Sequence, residues 1–298
     1  MKIFVTGGTG FIGKSLIPML LAHGHEVLAL TRTSQTEGSK GLKYVVGDLS
    51  NLAYLDSIMR EFRPDALVHL AWEGLPDYSI EMCRKNLEYG INIFSSAAMA
   101  GCSVVLSTGS CWEYASRSGA VSENGELNSS SIFPAVKNAL RYIGHAISSE
   151  NKQKFYWLRL FYVYGTGQRI SSLIPHIIES IENNKVLRLK HPGNRNDFIH
   201  VEDVASAILG VLEKQPKRNV YNVGSGYCAS VGDVVETVCR IKGKVADRER
   251  LTVSEESGSE KFWADVSLIQ NDIEWKPHYD IESGIMATIK SFMETDLK

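Results

Sequence analysis

The stretch Ile3-Phe4-Val5-Thr6-Gly7-Gly8-Thr9-Gly10-Phe11-Ile12-Gly13 decides the fold. An apolar strand runs straight into a glycine-rich turn, and the turn opens a helix. Gly8, Gly10 and Gly13 keep the G-x-G-x-x-G spacing, in which glycine permits the tight turn, lets backbone amides approach a pyrophosphate and allows close helix-on-strand packing. The unpaired N–H groups and the dipole at the helix N-terminus then favour an anion. Gly7, Gly10, Phe11, Ile12 and Gly13 are therefore expected to hold a dinucleotide.

Outward from this loop, apolar, β-rich runs recur at Ile3 to Val5, Glu26 to Leu30, Leu42 to Val46, Ala66 to Leu70, Ser103 to Leu106 and Phe155 to Leu160. Amphipathic stretches separate them, as with Leu16, Ile17, Leu20 and Leu21 before the stop at Gly24. Pro18 is expected to kink that first helix. The alternation predicts an α/β fold, a Rossmann-type doubly wound parallel sheet covered by helices on both faces. After Gly165 the pattern changes, with a helix expected from Ile170 to Asn183, a short strand from Val186 to Leu189 and small elements from Val231 onward. The expected organisation is a dinucleotide-binding domain over 1–165, with 197–222 returning to it, and a smaller C-terminal α/β substrate-binding domain from 166–196 and 223–298. The apolar run Phe198-Ile199-His200-Val201 is the reason for the return.

The 298 residues, 44% hydrophobic and 22% charged, can bury a sizeable core without staples. A net charge of -2 without long like-charge runs gives no footprint for nucleic acid or an anionic membrane, so the expected partner is a small molecule. Cys83, Cys102, Cys111, Cys228 and Cys239 are odd in number and scattered, which argues against a disulfide framework and against zinc. His23-x-His25 reads as a solvated helix–strand turn without carboxylate or cysteine partners, so no metal is expected. No run of about 18 apolar residues is present, and the first strand begins at Ile3 with no apolar signal region before it. The expected location is the cytoplasm.

The second strand distinguishes the dinucleotide. NAD-binding folds usually end it in Asp or Glu, which accepts hydrogen bonds from ribose hydroxyls. Here it ends in Thr31-Arg32-Thr33, a guanidinium flanked by two hydroxyls that suits the extra phosphate of NADP. NADP is the expected cofactor, ahead of NAD. Asp48 in Gly47-Asp48-Leu49 can accept the adenine amino group, and Leu70 and Ala71 after the fourth strand would line the pyrophosphate.

Together these residues resemble the extended short-chain dehydrogenase/reductase family, the NAD(P)-dependent epimerases, dehydratases and reductases of nucleotide-sugars. The resemblance runs over nearly the whole chain. It rests on the loop Thr6 to Gly13, Gly47-Asp48-Leu49, His69-Leu70-Ala71, Asn86 with Gly90 and Asn92, and Leu158-Arg159-Leu160-Phe161 leading to Tyr164-Gly165. It continues through Asp197-Phe198-Ile199-His200-Val201-Glu202-Asp203-Val204, Tyr221-Asn222-Val223-Gly224 and Trp275-Lys276-Pro277. The resemblance implies that Asn86 and Lys137 join the cofactor site. It also implies that Ser110, four residues before Tyr114, hydrogen-bonds the sugar oxygen that is oxidised or reduced, with Thr108 as the fallback.

The family's acid/base is a Tyr four residues before a Lys on one helix face, where Lys⁺ and the cofactor lower the phenol pKa from near 10. The suitably placed lysine is Lys137, and four residues before it stands Phe133, which carries no proton. Three readings stay open: an engineered replacement of Tyr by Phe that traps bound substrate, a natural enzyme recruiting Tyr162, Cys111 or water, or a natural NADP-binding regulator without turnover.

The resemblance further implies a nucleoside-diphosphate sugar between the two domains. Two departures stand at the expected diphosphate site: Tyr162 where the family commonly has Asn, and Asn196 where it commonly has Arg. Arg169, Arg195 and Arg250 are expected to share that role, with Trp72 and Trp112 bounding the sugar pocket. The NADP-type strand end, and the lack of an Asp-Glu pair after Thr108 of the dehydratase kind, point to an NADPH-dependent reductase of a 4-keto-6-deoxy nucleoside-diphosphate sugar. A nucleotide-sugar epimerase is the alternative. A homodimer is implied, through helices around Leu87 to Ala100 and Ala139 to Ile147.

Overall fold

The computed structural model describes residues 1–34, 38–116, 118–189, 192–244, 251–253 and 261–295. β1 (Lys2–Thr6) leads through the glycine turn into α1 (Phe11–Ala22), followed by β2 (Glu26–Thr31), β3 (Leu42–Val46), α2 (Leu52–Phe62), β4 (Ala66–His69), α3 (Ile80–Met99) and β5 (Val104–Ser110). A 3₁₀ turn at Cys111–Glu113 precedes β6 (Gly119–Val121), α4 (Ile132–Glu150), β7 (Lys154–Leu160), β8 (Tyr162–Tyr164), α5 (Leu173–Glu182), β9 (Leu187–Leu189) and β10 (Arg195–Asn196). Then come β11 (Phe198–His200), α6 (Val201–Lys214), β12 (Val220–Val223), β13 (Ala229–Ser230), α7 (Val231–Ile241), β14 (Leu251–Val253), β15 (Lys261–Ala264), α8 (Ser267–Ile273) and α9 (Ile281–Thr295).

Seven parallel strands form the central sheet in the order β12-β7-β5-β4-β1-β2-β3. Alternation along each strand builds two cores. In β1, Ile3 and Val5 pack on one face with Leu16, Ile17 and Leu20 of α1 and Val204, Ile208 and Val211 of α6. Phe4, pointing the other way, packs with Leu55 of α2, Ile93 and Phe94 of α3 and Leu140 of α4. The chain therefore winds on both faces of the sheet, as a Rossmann-type fold does. Strand order reverses between β1 and β4, and a crevice opens beyond the C-terminal ends of strands at such a point. Thr6 and His69 end these two strands, and Thr6 Oγ1 lies 2.7 Å from His69 Nδ1.

A third cluster gathers Ile174, Ile177 and Ile178 of α5, Val234, Val235 and Val238 of α7, and Ile285 and Ile289 of α9. Near it β13, β10, β15 and β6 form a four-stranded sheet.

Several elements differ from the sequence reading. β5 runs on to Ser110, beyond Leu106, because polar Ser107 to Ser110 keep pairing with β7 as far as Leu160. β12 is a seventh sheet strand that its four residues, one of them Asn222, did not announce. Pro18 lies exposed inside α1, which continues through it from Phe11 to Ala22, and the carbonyl it deprives of a helical partner belongs to exposed Lys14; this leaves the expected kink neither shown nor overturned. His23-x-His25 is no solvated turn: His25 is buried and both rings meet Glu213, at 3.1 Å for His23 Nδ1 and 3.2 Å for His25 Nε2. The partner carboxylate comes from the distant end of α6, out of reach of local sequence inspection. Among the described residues no group of His, Cys, Asp or Glu could hold a metal ion, and no helix is long and apolar enough to cross a membrane.

Candidate active site

The glycine loop is built for close approach. Gly7 has φ of +73°, and a Cβ there would stand 2.8 Å from Ala71 N. At Gly13 a Cβ would meet Gly7 O at 2.4 Å and Gly8 Cα at 2.5 Å, so no side chain fits where α1 presses on the turn. Gly10 caps α1 with no side-chain hydrogen bond, which leaves the first-turn amides for a ligand. Beside them lies a cavity of about 350 Å³ lined by Gly7, Gly10, Phe11, Ile12, Gly13, Thr31, Arg32, Asp48, Leu49, Leu70, Ala71 and Asn86, together with Trp72 and Glu73. Its volume, glycine cradle and uncapped helix start fit the adenosine diphosphate half of a nicotinamide dinucleotide. When bound, such a group gives or takes a hydride.

At the rim, Arg32 is exposed and pairs with Glu73, Nη1 to Oε1 at 3.3 Å, and Lys85 reaches the same oxygen at 3.1 Å. Glu73 is held in turn by Asn86, whose Oδ1 accepts from Glu73 N at 2.7 Å and whose Nδ2 donates to Glu73 O at 3.0 Å and Met82 O at 2.8 Å. Asn86 thus lines the cavity while its amide fixes the loop opposite Arg32. Glu73 escaped sequence reasoning because nothing local ties it to Arg32. The Thr31 hydroxyl donates to Thr33 O at 3.0 Å, so it serves the turn in this structure. Asp48 sits below the usual carboxylate range because the Ser50 side chain and backbone hydrogen-bond to it.

The catalytic candidates converge from β5 and α4. Ser110 ends β5, its hydroxyl accepting from Trp112 N at 3.2 Å and its amide donating to Glu113 Oε1 at 2.8 Å. Buried Lys137 donates from Nζ to the Thr108 carbonyl at 3.0 Å, and Nζ lies 3.9 Å from the Trp72 ring centroid. Burial brings its pKa down to about 8, with Glu113 and Cys83 acting to raise it. His69 is held neutral, its pKa brought down to about 3 by burial and then by Lys137. Phe133, one turn before Lys137 on α4, is buried under an aromatic group: Trp72 at 5.3 Å, Tyr78 at 4.8 Å and Trp112 at 6.0 Å between ring centroids.

Behind β5 stands a buried polar network that carries no solvent contact. Glu113 accepts from Arg159 Nε at 2.8 Å and from Trp157 Nε1 at 3.1 Å, and Arg159 Nη1 donates to Tyr114 Oη at 2.9 Å. Tyr114 Oη donates to Asn222 Oδ1 at 2.6 Å. Burial pushes Tyr114 up to about 12, so it positions the Ser110 turn and is unsuited to proton exchange.

The substrate candidates are dispersed. Trp72 and Trp112 do stand at the Phe133 site. Tyr162 lies on β8 against Phe198, 6.0 Å between centroids, and Cys111 is buried in the core with Tyr114 and Val121. Arg169 donates from Nη1 to the Leu75 carbonyl, and Arg195 pairs with Asp233 at 3.2 Å and donates to Cys228 O at 3.3 Å. Arg250 lies outside the described residues.

Fold and cleft together have the form of a dinucleotide-binding protein of the doubly wound class. The chain belongs to the NAD dependent epimerase/dehydratase family, whose sequence profile matches residues 3–224. It is 24% identical to dTDP-L-rhamnose 4-epimerase from Burkholderia thailandensis, over 95% of this chain and 93% of that protein. It is 26% identical to dTDP-glucose 4,6-dehydratase from Escherichia coli, over 98% and 94%. The structure of dTDP-glucose 4,6-dehydratase from Bacillus anthracis in complex with NAD superposes with a TM-score of 0.86 at 22% identity, over 100% of this chain and 98% of that one.

Proposed function

We propose that this chain is a reductase of a 4-keto-6-deoxy nucleoside-diphosphate sugar that draws NADPH from solution. The observation that carries the reading is Arg32 at the end of β2, on the rim of the adenosine cavity where a carboxylate would select NAD. Its pairing with Glu73 is a surface ion pair, worth about 0–1 kcal/mol, and a 2′-phosphate dianion can compete with it. Ser110 polarises the sugar oxygen, and Lys137 holds the cofactor ribose from beneath Trp72. The nucleotide-sugar class comes from the named relatives.

One observation favours an epimerase that keeps its NAD: Glu73 already neutralises Arg32 and, with Lys85, ties the cavity rim together. The NAD in the Bacillus anthracis structure accords with it. Fluorescence titration with NADPH and NADH, followed by incubation with thymidine- and uridine-diphosphate 4-keto-6-deoxy sugars, separates the two. The reductase consumes one NADPH per sugar; an epimerase isomerises a sugar with no net loss of cofactor. Binding of NADPH with every one of these sugars neither reduced nor isomerised would reject both. The homodimer is proposed through α3 and α4, which leave Ile80 and Tyr142 exposed, and sedimentation tests it.

A further inference from the structure

Position 133 has no hydroxyl, yet a carbonyl that accepts hydride needs a proton on its oxygen. Among the described residues Lys137, Cys83 and Tyr78 stand around Phe133, and each carries a transferable proton. Lys137 is engaged with the Thr108 carbonyl and covered by Trp72. Cys83 is fully buried, donates its S–H to the Tyr78 carbonyl at 3.7 Å and is pushed up chiefly by burial. Tyr78 differs from both. Its ring stands 4.8 Å from Phe133 and 5.5 Å from Trp112 between centroids, while 37% of the residue remains open to solvent. Among the described residues its hydroxyl has no hydrogen-bond partner.

The backbone around Tyr78 is fixed on both sides. Asp77 Oδ1 accepts from Ser79 N at 2.8 Å, and Ser79 caps α3 by accepting from Met82 N at 3.3 Å. The Arg169 guanidinium donates to the Leu75 carbonyl. A held loop thus presents an unpartnered phenol beside the one position where the family's phenol is missing.

We propose that Tyr78 is the acid that protonates the sugar oxygen in place of a hydroxyl at position 133. This rests on the reductase reading. Hydride addition at the carbonyl carbon leaves the electron pair on oxygen; the Tyr78 O–H bond breaks, its proton bonds that oxygen, and the phenolate regains a proton from water. Burial holds the Tyr78 phenol above its ordinary range, which keeps the proton on it until the oxygen that receives it develops charge, and the Arg169 guanidinium acts in the opposite direction.

Two readouts test this. With 3-fluorotyrosine at position 78, the fluorine NMR signal should move when UDP-glucose or dTDP-glucose is added at saturation, because the phenol touches the sugar. Separately, Tyr78→Phe should lower NADPH consumption about 100-fold or more, the range for losing a general acid. Phe133→Tyr added to it should restore tenfold or more, which a collapsed pocket would not allow. Tyr78→Phe within threefold of the unaltered chain overturns the proposal and leaves the reductase reading standing. An unaltered chain without turnover overturns both. For loss without rescue the fluorine signal decides: a shift supports contact with the sugar, and a signal unmoved by either sugar overturns the proposal.

Discussion

Lys137 Nζ lies 3.9 Å from the centre of the Trp72 ring while donating to the Thr108 carbonyl at 3.0 Å. The contact joins β4's following loop to α4 and carries a buried ammonium between the adenosine cavity and Phe133. A cation against an aromatic face is worth about 2 kcal/mol when desolvated, which offsets part of the cost of burying the charge.

That burial has a pH signature. Lys137 is brought down to about 8 from 10.5, so its folded pKa lies below its unfolded one. The cost is fully present below about pH 8, where both states are charged, and fades as pH rises toward 10.5, where the folded state has already lost its proton. Lys137→Met should therefore look more favourable at pH 7 than at pH 10, by on the order of 2–3 kcal/mol relative to the unaltered chain. Urea unfolding of both proteins at the two pH values measures this, and a difference that stays constant would contradict it.

Gly13→Ala should weaken cofactor binding sharply. Its Cβ would fall 2.4 Å from Gly7 O and 2.5 Å from Gly8 Cα, contacts only backbone movement can relieve. A strain of about 3 kcal/mol corresponds to a loss of about 100-fold in affinity for NADPH, readable by fluorescence titration.

Arg32→Ala should discriminate between cofactors. If Arg32 meets a 2′-phosphate, NADPH affinity falls about tenfold or more while NADH affinity changes by less than about threefold. Equal effects on both would assign Arg32 to holding Glu73 alone.

Arg159→Met should destabilise the whole fold. It leaves the Glu113 carboxylate buried without its cation, at a cost of about 3–5 kcal/mol. A fall in the urea midpoint with unchanged slope checks this.

What could be read in the sequence was what is local. The glycine turn, the apolar strands and the Lys137 spacing each lie within one or two elements, so periodicity and spacing exposed them. Glu73 beside Arg32, Glu113 beneath Arg159, Glu213 between two histidines and Tyr78 over Phe133 are meetings of distant segments. No pattern in the chain marks them, because the sheet order that brings them together is a property of the folded molecule. Tyr78 in particular sits in a loop whose composition reads as an ordinary helix entrance. The open reading in which Tyr162, Cys111 or water stands in as proton donor followed from sequence proximity to known motifs, whereas the aromatic group around Phe133 is drawn from the β4–α3 loop, the 3₁₀ turn after β5 and α4.

The central claim is transfer of hydride from NADPH to a sugar carbonyl with net consumption of cofactor. Deuterium placed on the transferable position of NADPH tests it directly, by mass spectrometry of the sugar nucleotide after incubation with a 4-keto-6-deoxy sugar of thymidine or uridine diphosphate. The account predicts one deuterium in the reduced sugar for each NADPH lost; a sugar epimerised with the cofactor pool unchanged, or a sugar left as the ketone, would contradict it.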